Sequence, residues 1–295
     1  MDGMVNEIKL SKCVISENDY PFIIAEIGNN HNGDMKIAKK LIDEAEKCGV
    51  NAVKFQTKDI ETAFPQELLN KNYEGPNSFG KTYREHKQVL ELSFDQLKEL
   101  KVYSQKKNLI FFSTPFDIKS LESLDKLDME IYKISSFHVT DLKLVEAIAT
   151  KKKPVIMSTG MSTIKEIDAA VEILDKYNCK YLIMHCVSSY PADPKDLNLR
   201  AINVLKKKYN CLVGYSGHET SANIAPSVVL YGACAIERHF TLDRAMKGPD
   251  HALSLAPPGM DILVKRSRSL FIARGKEEKF VTDSELEARK KFRGY

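Results

Sequence analysis

The feature that most constrains the fold is an alternation, repeated eight times, between a short apolar segment and a segment with helical periodicity. The apolar segments are nearly continuous in Val, Ile, Leu and Phe, which is typical of strands buried on both faces of a parallel sheet. The eight predicted strands are 22–27, 52–56, 110–114, 131–136, 154–159, 181–187, 212–216 and 235–240. Because eight strand–helix units close a parallel sheet on itself, the sequence predicts an α/β protein folded as a (β/α)8 TIM barrel.

Helical segments follow the strands, and some of their ends carry clear signals. Ser93 followed by Gln96 fits the capping-box pattern of a helix start, and Pro257 and Pro258 stand where the last helix should begin. The predicted helices are 35–48, 93–107, 117–127, 141–150, 163–177, 197–209, 222–231 and 258–273. A long irregular passage, 59–92, separates the second strand from its helix.

An open, doubly wound sheet is the main structural rival of the barrel. Such a sheet usually carries a glycine-rich phosphate loop, GxGxxG, after its first strand. The segment from Gly28 to Gly33 reads GNNHNG and does not fit that pattern. The barrel is therefore the preferred architecture.

Three parts are predicted along the chain. Strand-like alternation on both sides of Ser11 predicts that 1–20 forms a short N-terminal hairpin that closes the bottom of the barrel. Residues 21–275 should form the TIM-barrel catalytic domain. Residues 276–295 are highly charged and too poor in apolar residues for another domain, so we expect a charged C-terminal tail.

The composition excludes several classes of protein. The chain has 44 basic and 40 acidic residues, which gives a net charge of +4. Because the lysines are scattered along the sequence, this charge does not indicate a nucleic-acid-binding groove. No apolar run approaches the ~20 residues that span a bilayer, and 1–10 lacks a signal-peptide core. The six cysteines form no CxxC pair, which favours buried thiols in a reducing compartment. We therefore expect a cytoplasmic protein with no nucleic-acid and no membrane partner.

Histidines end the seventh and eighth predicted strands. His218 and His239 follow apolar runs, and the carboxyl ends of the strands are where TIM barrels keep their chemistry. A neutral imidazole is a good ligand for a divalent metal, although a lone histidine there more often only ends a strand and bonds a loop. Cys186, which follows His185, is a weaker candidate for a nucleophile or ligand.

Polar residues at the other strand ends favour the functional interpretation. They are Glu26, Lys54, Gln56, Thr114, Lys133, Ser136, His185, Ser188, Tyr190, Ser216 and Glu237. A single lysine there would more often be a paired structural charge. Two lysines with several hydroxyl side chains at one face are typical of an anion site for a phosphate or carboxylate. Two histidines with nearby carboxylates are typical of a divalent-metal site.

Eight motifs in chain order resemble the motif series of the sialic acid (N-acetylneuraminate) synthase family. They are Ala25–His31, Val53–Gln56, Phe112–Asp117, Tyr132–Ser136, His185–Pro191, Tyr215–His218, Ile236–Thr241 and Gly248–Ser254. The match covers about residues 20 to 275. The resemblance implies a TIM barrel that condenses phosphoenolpyruvate with an aldehyde amino sugar such as N-acetylmannosamine. The products are a nonulosonic acid, which is a sialic-type 2-keto-3-deoxy sugar acid, and inorganic phosphate.

The resemblance also implies roles for particular residues. His218 and His239 match the metal ligands, usually for Mn²⁺ or Mg²⁺. Glu26 matches the carboxylate near the reacting carbons. The residues matching those that hold phosphoenolpyruvate are Lys54, Thr114, Lys133, Ser136 and Ser216, and those matching contacts to the sugar hydroxyls and the metal's water are Gln56, Tyr190 and Asp250. The expected catalytic set is Glu26, Lys54, Lys133 and Asp250.

Two departures from the family pattern bear on the sugar. Ser188 stands where the family often has an asparagine that contacts phosphoenolpyruvate, so the resemblance implies that it is a substrate-binding residue. Serine keeps a hydroxyl donor with less reach, and similar variants handle legionaminic or related acids. Family members also continue into a small antifreeze-like domain that reaches across a dimer to the sugar's N-acyl group. Because the chain ends at Tyr295, the resemblance gives less support to a homodimer, and we expect a less discriminating sugar site or one filled by 59–92.

Two other functions remain open. An enzyme resembling 3-deoxy-octulosonate 8-phosphate synthase would act on a phosphorylated sugar and would need extra basic residues at the mouth, where the sequence shows no arginine cluster. A barrel that binds sugar acids or anions without turnover is the alternative from another class.

Overall fold

The computed structural model describes residues 7–295, so the part of the predicted N-terminal hairpin segment that falls on 1–6 lies outside the described residues. The strands are β1 Glu7–Lys9, β2 Val14–Ser16, β3 Phe22–Gly28, β4 Ala52–Thr57, β5 Ile110–Pro115, β6 Tyr132–Ile134, β7 Val155–Ser158, β8 Tyr181–Cys186, β9 Leu212–Gly217 and β10 Ala235–His239. The α-helices are α1 Met35–Lys47, α2 Ile60–Ala63, α3 Gln66–Leu69, α4 Tyr83–Leu90, α5 Phe94–Lys106, α6 Ile118–Lys126, α7 Leu142–Ala149, α8 Ile164–Lys176, α9 Ala201–Tyr209, α10 Pro257–Ala273 and α11 Asp283–Arg293.

Eight parallel strands form one sheet in the order β5-β4-β3-β10-β9-β8-β7-β6. The last strand, β10, pairs with both β9 and the first barrel strand, β3. The two ends of this order, β5 and β6, lie against each other, so the sheet is a nearly closed barrel. The predicted (β/α)8 TIM-type barrel is confirmed.

The barrel strands are buried, and most of their side chains are apolar apart from the polar residues near their carboxyl ends. Every residue of β3, β5, β8, β9 and β10 is buried, as expected for a parallel sheet covered by helices. The helices pack on the sheet through apolar stripes such as Leu41 and Ile42 of α1. Ser93 and Gln96 form the predicted capping box of α5.

Strand register brings polar side chains to one level near the carboxyl ends. Glu26 of β3 lies opposite Lys54 of β4 on one side and His239 of β10 on the other. Glu237 of β10 lies opposite Ser216 of β9. The sheet therefore gathers residues from four strands that are far apart in sequence.

Three segments differ from the sequence prediction. Segment 222–231 contains a 3-10 helix, Ala225–Tyr231, whose start has no side-chain cap and includes a proline. Helix α9 begins at Ala201 because Asn198 has a left-handed backbone with φ 42°, which an α-helix excludes. The passage 59–92 is not irregular throughout, since it contains α2, α3 and α4.

The hairpin of β1 and β2 is antiparallel, and its facing side chains Ile8 and Ile15 are buried in the core. Lys12 Nζ donates to Asn108 Oδ1 at 2.8 Å, and Ser11 contacts Glu130. Because those two partners precede β5 and β6, the hairpin lies at the amino ends of the barrel strands. The division into 1–20, 21–275 and 276–295 stays a prediction.

The segment after α10 carries α11, which has no buried residue. Within 7–295, no helix has the length and apolar character that a membrane span requires.

Candidate active site

Ten of the twelve predicted site residues line one cavity at the carboxyl ends of the strands. They are Glu26, Lys54, Gln56, Thr114, Lys133, Ser136, Tyr190, Ser216, His218 and His239. We call this space the deep cavity. Asp250 lines an adjoining space instead, and Ser188 lines neither. Most of the predicted site residues therefore lie close together, because closure of the barrel brings the ends of distant strands to one place.

Lys54 lies at the centre of the charged floor of the deep cavity. Its Nζ is 2.7 Å from Glu26 Oε2 and donates to Thr114 Oγ1 at 2.8 Å. Glu237 Oε2 is farther, at 3.8 Å. A lysine ammonium has three donors, so one N–H of Lys54 remains for a ligand oxygen.

Lys133 is the second cation of the floor. Its Nζ donates to Ser158 Oγ at 2.6 Å and to the carbonyl of Ile134 at 3.1 Å, while Glu237 Oε1 is 3.9 Å away. Burial lowers the pKa of Lys133, and Glu237 opposes that effect. The third donor of this ammonium is also available to a ligand.

The two buried glutamates differ in their pKa. Burial raises the pKa of Glu26, and Lys54 only partly opposes it. Burial alone would also raise the pKa of Glu237, but Lys133 and Lys54 together lower it. Ser216 Oγ donates to Glu237 Oε1 at 3.2 Å and adds to that effect. Glu237 therefore stays ionised between the two lysines, whereas Glu26 is the carboxyl group that gains a proton more readily.

Near the end of β3, the side chain of Glu26 is hydrogen-bonded to that of Gln56. Gln56 Nε2 donates to Glu26 Oε1 at 2.8 Å. Gly28 ends the strand with φ 53°, and a Cβ there would lie 3.2 Å from both of those side-chain atoms. A glycine at this position therefore allows both the left-handed turn and the close contact beneath it.

His218 and His239 face each other with ring centroids 5.5 Å apart. The Nδ1 of His218 lies 2.8 Å from the Val187 carbonyl, which assigns the proton to Nδ1 and leaves Nε2 with a free lone pair. Burial lowers the pKa of His239 to about 4, so this imidazole is neutral at neutral pH. Its Nδ1 is buried and has no hydrogen-bond partner within residues 7–295.

The surroundings of His218 complete this part of the site. Burial alone would lower the pKa of His218, but contacts with the Cys186 thiol and the Val187 carbonyl raise it. The ring of Tyr190 lies over His218 at 4.2 Å between centroids and 6.5 Å from His239. Between Glu7 and Tyr295, no group of three His, Cys, Asp or Glu side chains is arranged to hold a metal. The chain therefore offers two imidazoles, and any further ligands to a cation would come from bound molecules.

An outer cavity of about 430 Å³ adjoins the deep cavity and shares Gln56, Tyr190 and His239 with it. Asp250 lies on its wall, where Oδ2 accepts from Asn29 Nδ2 at 3.5 Å. The remaining wall is partly aromatic and carries two lysines that the sequence analysis did not select. The size is within the range of about 300–1,000 Å³ for small-molecule pockets.

Some of the strand-end residues do not face the deep cavity. The hydroxyl of Ser188 is 3.9 Å from Cys186 Sγ and packs against Gly160, where an added Cβ would lie 2.2 Å away. His185 points elsewhere, with Nε2 2.7 Å from the Leu197 carbonyl. Ser188 therefore packs beside the deep cavity without lining it. His185 bonds a loop carbonyl, as expected of a histidine that has only a structural role.

Other residues of the cavities were missed or left without a role. Glu237 stands two residues before His239, and strand side chains alternate faces, so the sequence already placed both on one side. Ser158 ends β7 in the same way and contacts Lys133. Lys58 of the outer cavity directly follows β4 and continues the alternation of Lys54 and Gln56, so its strand-end signal was overlooked. Lys87 lies on helix α4 and had no such signal. Cys186 lines the deep cavity, where burial would raise its pKa but His218 lowers it.

Comparisons with known proteins agree with this arrangement. Residues 41–279 match the sequence profile of the NeuB family. The chain is 41% identical to an N-acetylneuraminate-9-phosphate synthase of Drosophila melanogaster over 88% of this chain and 69% of that protein. It is 38% identical to an N,N'-diacetyllegionaminic acid synthase of Campylobacter jejuni over 89% of this chain and 80% of that protein.

A solved structure shows the same fold at similar sequence identity. It is the N-acetylneuraminic acid (sialic acid) synthetase of Leptospira borgpetersenii serovar Hardjo-bovis in complex with citrate. The TM-score is 0.86 at 36% identity, and the match covers 99% of each chain. The likeness in fold therefore extends over the whole barrel.

Proposed function

Because the chain belongs to the NeuB family, we propose that it condenses phosphoenolpyruvate with an aldehyde amino sugar to give a nonulosonic acid and inorganic phosphate. The observation that carries the proposal is the buried group of Lys54, Lys133 and Glu237 beside two facing histidines in one cavity. The names of the relatives differ in the sugar acid, so the reaction class is better supported than the acceptor.

Phosphoenolpyruvate would bind on the floor of the deep cavity. Lys54 and Lys133 each have one ammonium donor left after their protein contacts. Ser136 accepts from the Gly160 amide at 2.9 Å, so its own hydroxyl proton can be donated to a ligand. Two cations and hydroxyl donors in one cavity suit the phosphate and carboxylate of one small molecule and hold it in a reactive orientation.

The reaction forms one carbon–carbon bond and breaks one carbon–oxygen bond. C3 of phosphoenolpyruvate attacks the aldehyde carbon, whose oxygen gains a proton. Water adds at C2 and loses a proton, and the tetrahedral intermediate then expels phosphate by cleavage of the C2–O bond. Glu26, with its raised pKa, is the chain's own group for accepting and returning those protons.

A divalent cation, Mn²⁺ or Mg²⁺, would be held by His218 and His239. These residues fit such an ion because His239 is neutral and its buried Nδ1 has no partner among the described residues. Bound there, the cation would polarise the aldehyde carbonyl as a Lewis acid. Gln56, Tyr190 and Asp250 line the outer cavity together with His239, and they would orient the sugar.

The cellular setting is part of the same proposal. All six cysteines are free, which agrees with a cytoplasmic enzyme in a reducing compartment. A homodimer remains an expectation from the family resemblance.

The test is phosphate release from phosphoenolpyruvate in the presence of Mn²⁺ and a panel of mannosamine-type aldehydes. We expect release that requires both the aldehyde and the cation. Binding of phosphoenolpyruvate without release in the presence of any aldehyde would support an anion-binding barrel and reject the synthase.

A further inference from the structure

We propose that Lys58 and Lys87 form a second anion site, in the outer cavity, and that this site binds a phosphate ester on the acceptor sugar. This inference rests on the proposed function and deepens it, because it names the class of acceptor. The phosphate would be at the end of the sugar remote from the aldehyde. The deep cavity would hold the separate phosphate of phosphoenolpyruvate.

Lys58 is a buried cation without a carboxylate partner. Its side chain is 6% exposed. Nζ contacts only the neutral oxygens of Gln56 at 3.0 Å and Asn29 at 3.4 Å, and it lies 4.3 Å from the centre of the Phe116 ring. Within 7–295, no carboxylate oxygen lies within 4.0 Å of this ammonium. Burying a charge is costly unless an opposite charge is close.

Lys87 lines the same cavity from helix α4. Its Nζ lies 5.0 Å from the centre of the Tyr83 ring and 5.9 Å from that of Phe64. It too has no ion pair within the described part of the chain. Burial lowers the pKa of Lys87 to about 8, and Lys58 contributes to the shift. Two ammonium groups without paired carboxylates therefore share one solvent-accessible cavity.

The nearby acids do not neutralise this pair. Glu91 is bound to the backbone N–H of Lys58 at 2.9 Å, and burial raises the pKa of Glu91 to about 7. Asp250 lies against Asn29, on the side of the cavity that adjoins His239. Burial lowers the pKa of Lys58 as well as that of Lys87, because a buried lysine without a counter-charge tends to lose its proton. A bound anion would compensate both charges and keep both groups protonated.

The identity of the anion follows from the donors and the position. Lysine ammoniums bind phosphate as point charges, and a phosphate ester carries close to two negative charges, so one such group can compensate both lysines, whereas a carboxylate can compensate only one. No arginine lines this cavity within the described residues. Since Gln56, Tyr190 and His239 join the two cavities, a sugar with its aldehyde beside His239 would extend towards the two lysines.

The test compares N-acetylmannosamine with its 6-phosphate ester as acceptors, with phosphoenolpyruvate and Mn²⁺ present. We expect kcat/KM to favour the phosphate ester by about 100-fold, from two charge-assisted contacts. Lys58→Met and Lys87→Met should each lower that preference roughly tenfold, chiefly through the KM of the ester. Lys87→Arg, which keeps the charge, should retain most of the preference.

Lys106→Met is the matched control, because Lys106 is exposed at the end of α5 that leads to the amino end of β5. The ratio of kcat/KM values for the phosphate ester and the free sugar should be the same in Lys106→Met as in the wild type. Thermal unfolding of each variant identifies any loss that comes from misfolding, and the preference ratio is read only from folded protein.

Equal or better use of unphosphorylated N-acetylmannosamine would overturn the second anion site while leaving the synthase intact. A preference for the ester that survives both Lys→Met changes would also overturn it. Absence of phosphate release with either sugar, and with the wider panel of aldehydes, would instead reject the proposed function.

Discussion

Arg238 and Glu219 form a buried ion pair that joins the two strand ends carrying the facing histidines. Arg238 Nη1 is 2.8 Å from Glu219 Oε1, and each side chain is 1% exposed. Arg238 directly precedes His239, and Glu219 directly follows His218. Tyr215 donates to the other carboxylate oxygen of Glu219 at 2.9 Å, and Arg238 also donates to the Ser221 carbonyl at 3.1 Å. The pair therefore lies outside the cavity and fixes the ends of β9 and β10 relative to each other.

Removing one member of this pair should destabilise the protein strongly. Arg238→Met leaves the Glu219 carboxylate buried without its cation, and the expected loss is about 3–5 kcal/mol in the free energy of unfolding. Urea unfolding measures this loss. Replacing both residues together, as Arg238→Met with Glu219→Leu, should cost less than the sum of the two single changes. Lys265→Met, in the exposed Lys265–Asp261 pair, is the control and should change the unfolding midpoint little. Additive losses in the double variant would contradict a direct coupling.

Loss of Lys133 should weaken phosphoenolpyruvate binding. Lys133→Ala removes an ammonium that has a free donor above the cavity floor, and the expected cost is about 1–3 kcal/mol of binding free energy. Isothermal titration with phosphoenolpyruvate and the KM for that substrate both measure it. Lys106→Ala, on the surface of α5, should bind as the wild type does. An unchanged KM together with an unchanged turnover number would remove Lys133 from the substrate site.

The fold was predictable from the sequence because two periodicities agree over most of the chain. Apolar runs marked the strands, and Ser93 with Gln96 located a helix start that the structure reproduces. The barrel then follows from the number of strand–helix units. Segment 222–231 was misassigned because its apolar spacing fits a 3-10 helix as well as an α-helix.

The site was predictable where strand geometry positions the side chain, and not elsewhere. Glu26, Lys54 and His239 lie in a sheet whose register fixes their direction. Ser188 follows the end of β8, where the two-residue alternation no longer applies, and it packs against Gly160. Lys87 lies on a helix inside the passage that connects β4 to α5. Its approach to the cavity depends on how that passage folds over the barrel, which periodicity does not specify.

The two histidines should be required for cation binding as such. His218→Ala and His239→Ala each remove one of the two imidazoles that face each other, so we expect each to lose most Mn²⁺ binding. Electron paramagnetic resonance of free Mn²⁺ measures this without turnover. His185→Gln is the matched control, because a glutamine can still donate to the Leu197 carbonyl and the residue lies outside the deep cavity. Wild-type Mn²⁺ affinity in either alanine variant would exclude that residue as a ligand.

Glu91 should make stability depend on pH. Burial raises the pKa of Glu91 to about 7 from 4.5, so the folded protein holds this proton more tightly than the unfolded chain does. Such a group stabilises the folded state below pH 4.5, and its contribution is lost as the pH rises towards about 7. The shift corresponds to about 3 kcal/mol at most.

Glu91→Gln removes this titration while keeping an oxygen that can accept from the Lys58 backbone N–H. We therefore expect the variant to be more stable than the wild type at pH 8 and to approach it at pH 4.5. Urea unfolding at intervals between these values measures the difference. Glu122→Gln changes an exposed carboxylate on α6 and should follow the wild type at every pH. A constant difference between Glu91→Gln and the wild type from pH 4.5 to 8 would show that Glu91 does not titrate in this range.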